Sequence, residues 1–190
     1  MMISYGIKPT TISNAGKKEN IRTISTDLTG LACRMMEDKY GCPVMFVMPA
    51  AADQIAKETI HTFKLNEETG KYGIHFGAIE DGIAFVKKYG TMLAEKAIEL
   101  ADSIKYVTDI SPLKTSRSAF PCEMTDGSIS DMDIYALAVS KDLAFVGVKP
   151  EVNAVTEKQL WDRSPYKYTL MCSFCNGDGK YMPNSGCYTD

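Results

Sequence analysis

Two short apolar runs, each closed by a polar loop, constrain this chain more than any other feature. The run at 143–148, LAFVGV, ends in Lys149-Pro150 and delivers a carboxylate, Glu151. The run at 168–174, YTLMCSF, ends in a Gly-rich turn and delivers a phenol, Tyr181. Continuous apolar runs of this length read as buried strands. Buried strands that finish in polar loops are how many α/β proteins build a site. The plainer alternative is that a strand must end somewhere, and loop ends are polar by default.

Other elements alternate around these two. Residues 3–7 are a short strand candidate. Thr26 or Asp27 caps a helix over 27–40 whose apolar face is Leu28, Leu31, Ala32, Met35 and Met36, and Gly41 is placed to end it in a left-handed turn. The run at 44–48 is continuously apolar and predicts a buried strand central in a sheet. Glu80 or Asp81 opens a long helix over 81–101 carrying Val86, Leu93, Ala97, Leu100 and Ala101. Residues 104–110 read as a strand. Residues 134–140 and 143–148 flank Lys141-Asp142 as a hairpin. Residues 153–163 read as a helix, and 111–131, rich in Ser, Pro, Asp and Gly, as a loop or an irregular excursion. The alternation predicts one α/β (or α+β) domain over 1–190, a mixed β-sheet covered by helices.

Composition bounds the function classes. The 190 residues suffice for one domain with a core, and 45% hydrophobic with 24% charged residues is ordinary for a globular chain. A net charge of −3 with no Lys/Arg-rich run gives no reason to expect nucleic acid. No apolar segment reaches membrane-spanning length, so no transmembrane segment is expected. The start, MMISYGIKPTT, has no charged region followed by an apolar stretch, which makes a cytoplasmic location the simplest expectation. The six Cys are then expected to be reduced thiols.

Residues Gly147, Val148, Glu151, Ser164, Pro165, Asn176, Tyr181 and Pro183 fall in a specific order, and TDLTGLACRMMEDKYGCPVMFVMPAAADQ at 26–54 adds a second ordered segment. Together they resemble the catalytic domain of the neutral/alkaline, non-lysosomal ceramidase family and its short bacterial relatives. The first set is similar to the family's "LAFVGVPGE … SPF … N-x-x-x-x-Y" pattern, the second to its "D-x-x-G … E-x-x-x-G … A-A-G-D-Q" segment. The resemblance covers most of the chain and is weakest over 56–125. It implies a ceramidase catalytic-domain-like fold and zinc-dependent hydrolysis of an N-acyl amide, with a small-molecule or lipid-like amide as substrate.

Members of that family hold zinc with two His, one Glu and one Tyr. By resemblance Glu151 and Tyr181 are the matching metal ligands. Lys8, in the Gly6-Ile7-Lys8-Pro9 turn, stands where one His is expected, and the other His would fall before Met1. Asp53 matches the Asp of the family's Gly-Asp-x-Ser turn, while Ile55 occupies the nucleophile position. The ligand set is therefore incomplete, since a catalytic zinc normally has three protein ligands. A cationic Lys8 is no ligand unless strongly desolvated. Both ends suggest a chain incomplete relative to the family. Without the resemblance, Glu151 reads as a solvated loop carboxylate and Tyr181 as a core aromatic with its hydroxyl at the surface.

Two other constellations invite metal readings. His61 and His75, the only two histidines, lack acidic or Cys companions at ligand spacing and read as surface or half-buried side chains. His61 follows a helix-like run, AKETIH. Cys172-Ser-Phe-Cys175-Asn-Gly-Asp-Gly fits a CxxCxGxG zinc-module pattern, with Cys187 as a third thiol. Strand alternation would, however, point Cys172 and Cys175 to opposite faces. Three functions stay open: a ceramidase-like amide hydrolase, fragmentary or degenerate and inactive as an isolated chain; a non-catalytic pseudoenzyme that binds through the same cleft; and an interaction domain stabilised by Cys-bound zinc.

Overall fold

The structure, a computed structural model, describes residues 1–13, 15–17, 20, 24–58, 60–106, 110–177 and 179–187. Helices and sheets mix along the chain, as the alternation predicts. The chain divides into two compact units: Met1–Ile3, Lys8–Phe46 and Ile55–Ile104 form one, and Ser4–Ile7, Val47–Gln54 and Lys105–Asp190 the other. Strands β1 (Met2–Ser4) and β2 (Met45–Val47) pair with each other as the chain passes between units.

The first unit is built on two helices and a hairpin. Helix α1 (Asp27–Tyr40) follows the expected span. Its stripe at i, i+4, i+8 is buried: Leu28, Ala32 and Met36 are 1%, 0% and 2% exposed. Burying side chains the size of Leu28 and Met36 contributes about 2–3 kcal/mol each. Gly41 ends the helix at φ 63°, its N–H donating to the Glu37 carbonyl, as the sequence predicts. The start differs from expectation. Thr26 sits at the cap position without a side-chain cap bond. Buried Asp27 instead accepts from the N–H groups of Ile12 (3.0 Å) and Leu28 (2.7 Å), tying the 8–13 segment to the helix.

Helix α2 (Ile79–Ser103) extends the predicted 81–101 span at both ends. Gly90 lies against the Leu28 carbonyl and Leu31, so the two helices meet where no side chain intervenes. At the far end the Tyr40 hydroxyl donates to Asp102 at 2.7 Å, and Lys39 pairs with the same carboxylate. Leu100, assigned to the apolar face, is 56% exposed. The remaining elements are strands β3 (Thr62–Asn66) and β4 (Lys71–His75), an antiparallel hairpin all of whose residues are exposed. Sequence reading finds no strand there, because nothing in the hairpin is buried to impose a period.

The second unit holds a four-stranded mixed sheet in the order β5-β6-β7-β9. Strands β5 (Lys114–Glu123), β6 (Ile129–Ala138) and β7 (Leu143–Val148) run antiparallel. The chain then bends at Lys149 into β8 (Pro150–Val152), and helix α3 (Ala154–Arg163) carries it to β9 (Tyr168–Cys172), parallel to β7. A last strand, β10 (Gly179–Met182), pairs with β8. The core joins Ala50, Val148, Val152 and Met171 with Ile134, Leu160 and Met182 around them.

Three expectations are corrected here. Residues 44–48 are not central in a sheet: β2 pairs with β1 alone and Met45 is 59% exposed. The burial in this stretch belongs to Ala50 and Ala51, each 1% exposed, just past the strand. Residues 111–131 are not simply a loop, because β5 and the start of β6 occupy much of the span. β5 is an edge strand with nine of its ten residues exposed, so it shows no buried period, and Pro121 is tolerated at an edge. Residues 104–106 and 110 belong to no strand, while 107–109 lie outside the described residues.

Candidate functional site

Parallel pairing places Glu151 on β8 opposite Tyr181 on β10. The sequence alone could not give this register. Gly179 pairs with Pro150, and Tyr181, not Lys180, pairs with Glu151. Lys180 is therefore the extra residue of a bulge. An unbulged ladder would put Lys180 opposite Glu151 and Tyr181 opposite Val152. Bulges commonly re-aim a side chain in this way beside functional sites.

Alternation then sorts the two faces of this small sheet. Val152 (3% exposed) and its partner Met182 turn to the core. Glu151, half-buried, and Tyr181, 62% exposed, lie on the opposite face. A carboxylate and a phenol thus occupy paired positions on adjacent strands, where side chains on one face are neighbours.

Asp53 joins the same neighbourhood through the start of α3. Its Oδ1 accepts from the Ala154 N–H at 2.9 Å, three residues beyond Glu151. Burial opposes the charge on Asp53, but the Ala154 N–H, the Gln54 side chain, its own N–H and the Asn153 side chain together bring its carboxyl below the ordinary range. A carboxylate at a helix N-terminus also meets the positive end of the helix dipole. The segment carrying Asp53 is held throughout: Ala52 N–H donates to the Val152 carbonyl (3.1 Å), Ala50 N–H to Glu157 (3.3 Å), and Ser173 donates to the carbonyls of Met48 and Pro49 (2.9 Å each).

The turn leading into β10 is shaped by backbone strain. Phe174 and Asn176 adopt φ of 55° and 56°. Asn tolerates this region, whereas a bulky residue such as Phe there costs about 1–2 kcal/mol. Cys175, between them, donates its N–H to the Val148 carbonyl at 2.9 Å and packs against Gly147 so closely that an added Cβ would lie 2.5 Å from its sulfur. This fixes the turn to the end of β7. Nearby, buried Asp133 binds Arg117 (2.8 Å) and Lys149, and Lys149 lies along Gly177. The Lys149 and Arg117 hydrogen bonds hold the Asp133 carboxyl below the usual range.

The other expected positions are spread over both units. Lys8 belongs to the first unit, half-buried, its carbonyl accepting from the Thr10 N–H at 2.9 Å. Ile55 is also in that unit and 67% exposed. Ser164 shares a hydrogen bond with the Thr169 hydroxyl at 2.5 Å and braces the α3–β9 connection. His61 is half-buried with its ring 6.3 Å from Phe63, and His75 is exposed on β4, as expected; the described residues of the run before His61, 56–58 and 60, are not helical. Burial first, then Cys175 and Glu157, push the Cys172 thiol up to about 11, far from the depressed values of reactive or metal-binding thiols. The Cys187 sulfur is near the amides of Asn153 (3.8 Å) and Asn184 (3.5 Å).

Among the described residues no group of three or more His, Cys, Asp or Glu is arranged to hold a metal. The fit to a catalytic zinc is thus partial, two oxygen donors where three protein ligands are usual. The second unit also contains a residue that sequence reasoning missed: buried Glu157, 6% exposed, in the wall of an apolar cleft beside α3. Its only signal was an acidic residue four positions before Trp161 on an otherwise amphipathic helix.

A scan against protein-family models, a search of curated proteins and a search of solved structures each return no match. The class defined by fold and site is a mixed α/β chain with a carboxylate–phenol pair on adjacent parallel strands.

Proposed function

We propose that this chain is a degenerate member of the neutral ceramidase-like amide hydrolases, keeping the Glu and Tyr positions of the family's zinc centre. The observation that carries this reading is the bulged register that sets Tyr181 opposite Glu151, two residues far apart in sequence. Asp53, tied to the helix that follows Glu151, supports it. A bound zinc would polarise an amide carbonyl and activate water. With Lys8 and Ile55 at the positions of a His ligand and the nucleophile, the pair binds metal weakly and the chain by itself does not turn over N-acyl amides. Its ligands are small or lipid-like amides. Six free thiols fit a reducing, cytoplasmic setting. No described helix is long and apolar enough to cross a membrane.

A metal titration tests the ligand pair apart from activity. Saturating zinc should develop an ultraviolet phenolate difference band that disappears in both Tyr181→Phe and Glu151→Ala. A band that persists in Glu151→Ala would remove the pairing on which this reading stands. Zinc-dependent cleavage of an N-acyl amide by the purified chain, abolished by Glu151→Ala, would show an intact enzyme and overturn the degenerate reading.

A further inference from the structure

A cleft of about 590 Å³ opens beside α3, within the second unit and on residues other than the Glu151–Tyr181 pair. Its volume lies in the range of small-molecule sites. Tyr5, Pro49, Val155, Trp161 and Leu170 supply its apolar walls. Trp161 is 54% exposed, yet its indole does not swing freely, because Nε1 donates to the Thr169 carbonyl at 2.9 Å. It is a fixed, half-open aromatic wall of the kind that holds a flat ring at little entropic cost.

Two side chains give the cleft its polarity. Gln54 lines it, and so does Glu157, which is more than nine-tenths buried. The Ala50 N–H reaches Glu157 Oε2 at 3.3 Å and fixes the carboxyl in the wall. Burial raises the Glu157 carboxyl above its ordinary value, against the opposing hydrogen bonds from the Ala50 and Met171 N–H groups. The protonated form is a hydrogen-bond donor in an apolar wall. Among the described residues Lys158 is the one cation lining the cleft, and Asp162, one turn on, takes its charge at 3.0 and 3.2 Å. An anion finds no unpaired cation there, and a cation finds no carboxylate that is cheap to ionise.

We infer that this cleft binds a small, neutral, flat aromatic molecule bearing one hydrogen-bond acceptor, its ring on Trp161 and its acceptor toward the Glu157 carboxyl. The cleft does not depend on the zinc reading, since neither Glu151 nor Tyr181 lines it.

Trp161 is the sole tryptophan, so its indole N–H is a single assignable nitrogen-correlated resonance. Labelled protein at about pH 5, just above the ordinary carboxylate range, is titrated with acetophenone, ethylbenzene, benzenesulfonate and benzylammonium. Acetophenone should shift the indole resonance saturably, with the other three at least about tenfold weaker, the worth of one good hydrogen bond or less. No saturable shift with acetophenone, or equal affinity for ethylbenzene or either ion, would overturn the proposal. Glu157→Gln, which keeps a donor, should retain binding, and Glu157→Leu should lose about tenfold. Should the leucine variant fail to fold, Val155→Phe decides. Val155 is 40% exposed on the cleft rim, so the larger ring obstructs the cleft without entering the core. A folded Val155→Phe protein that still binds acetophenone as tightly as wild type would place the ligand elsewhere.

Discussion

At the scale of single residues, the six cysteines show how environment separates identical groups. Cys187 is exposed, the other five are half-buried, and none is bonded to another. Cys172 carries the raised thiol, held near 11 chiefly by burial on β9. Just above neutral pH its thiolate fraction is about a hundredfold below that of an ordinary cysteine. Burial also raises Cys33, with the Glu37 charge adding to it. Labelling of native protein with a thiol reagent, read by mass spectrometry, should therefore modify Cys187 first and leave Cys172 among the last. Cys187→Ser should remove the fast phase. Cys172 reacting as quickly as Cys187 would mean the end of β9 is far more open than the burial of its thiol implies. Spacing in sequence says which sulfurs are neighbours but not that one of them is desolvated.

At the scale of elements, the two helix-associated glycines Gly41 and Gly90 separate conformational from packing effects. At Gly41, φ is 63° and an added Cβ meets nothing, so Gly41→Ala should cost only the left-handed penalty, about 1 kcal/mol. At Gly90, alanine would gain about 1 kcal/mol of helix propensity. Its Cβ would, however, sit 2.9 Å from the Leu28 carbonyl and from Leu31, and backbone cannot yield as a flexible side chain does. The clash should win, with Gly90→Ala losing about 1–3 kcal/mol in denaturant unfolding; a stabilised variant would show α1 and α2 are not in close contact. Elements with a buried face were legible: α1 and β7 stand where apolar spacing puts them, and Gly41 ends α1 as its position predicts. Elements without one were not, as β3, β4 and the polar edge strand β5 show. The site was half legible for a similar reason. Glu151 and Tyr181 could be named from their motif, but the bulge that pairs them comes from one inserted residue, Lys180. Removing Lys180 should abolish the zinc-induced phenolate band, whereas Lys180→Ala, which keeps the residue count, should preserve it. A band surviving the deletion would show that backbone register does not place Tyr181.

At the scale of the whole molecule, two sets of carboxyl groups pull stability in opposite directions with pH. Asp53, Asp102, Asp126, Asp133 and Glu58 all have folded values below the ordinary range. Their contribution is complete above the unfolded value, about 4, and is lost as pH falls through the lowered folded values. Glu157 does the reverse, because burial raises its carboxyl. Below the unfolded value it is protonated in both states and costs nothing in charge. As pH rises toward the raised folded value, the unfolded chain ionises first, and stability declines across that window. The cost is borne because Glu157 links α3 to Ala50 and Met171, both part of the second unit's core. Glu157→Gln keeps an acceptor for those N–H groups and removes the titration, while the other five groups stay common to both proteins. The stability difference, variant minus wild type, should therefore be larger at pH 7 than at about pH 4, the foot of the window. Paired denaturant unfolding curves at the two pH values measure it. A difference that is flat, or larger at the acidic end, would mean that Glu157 is ionised and well solvated in the folded chain.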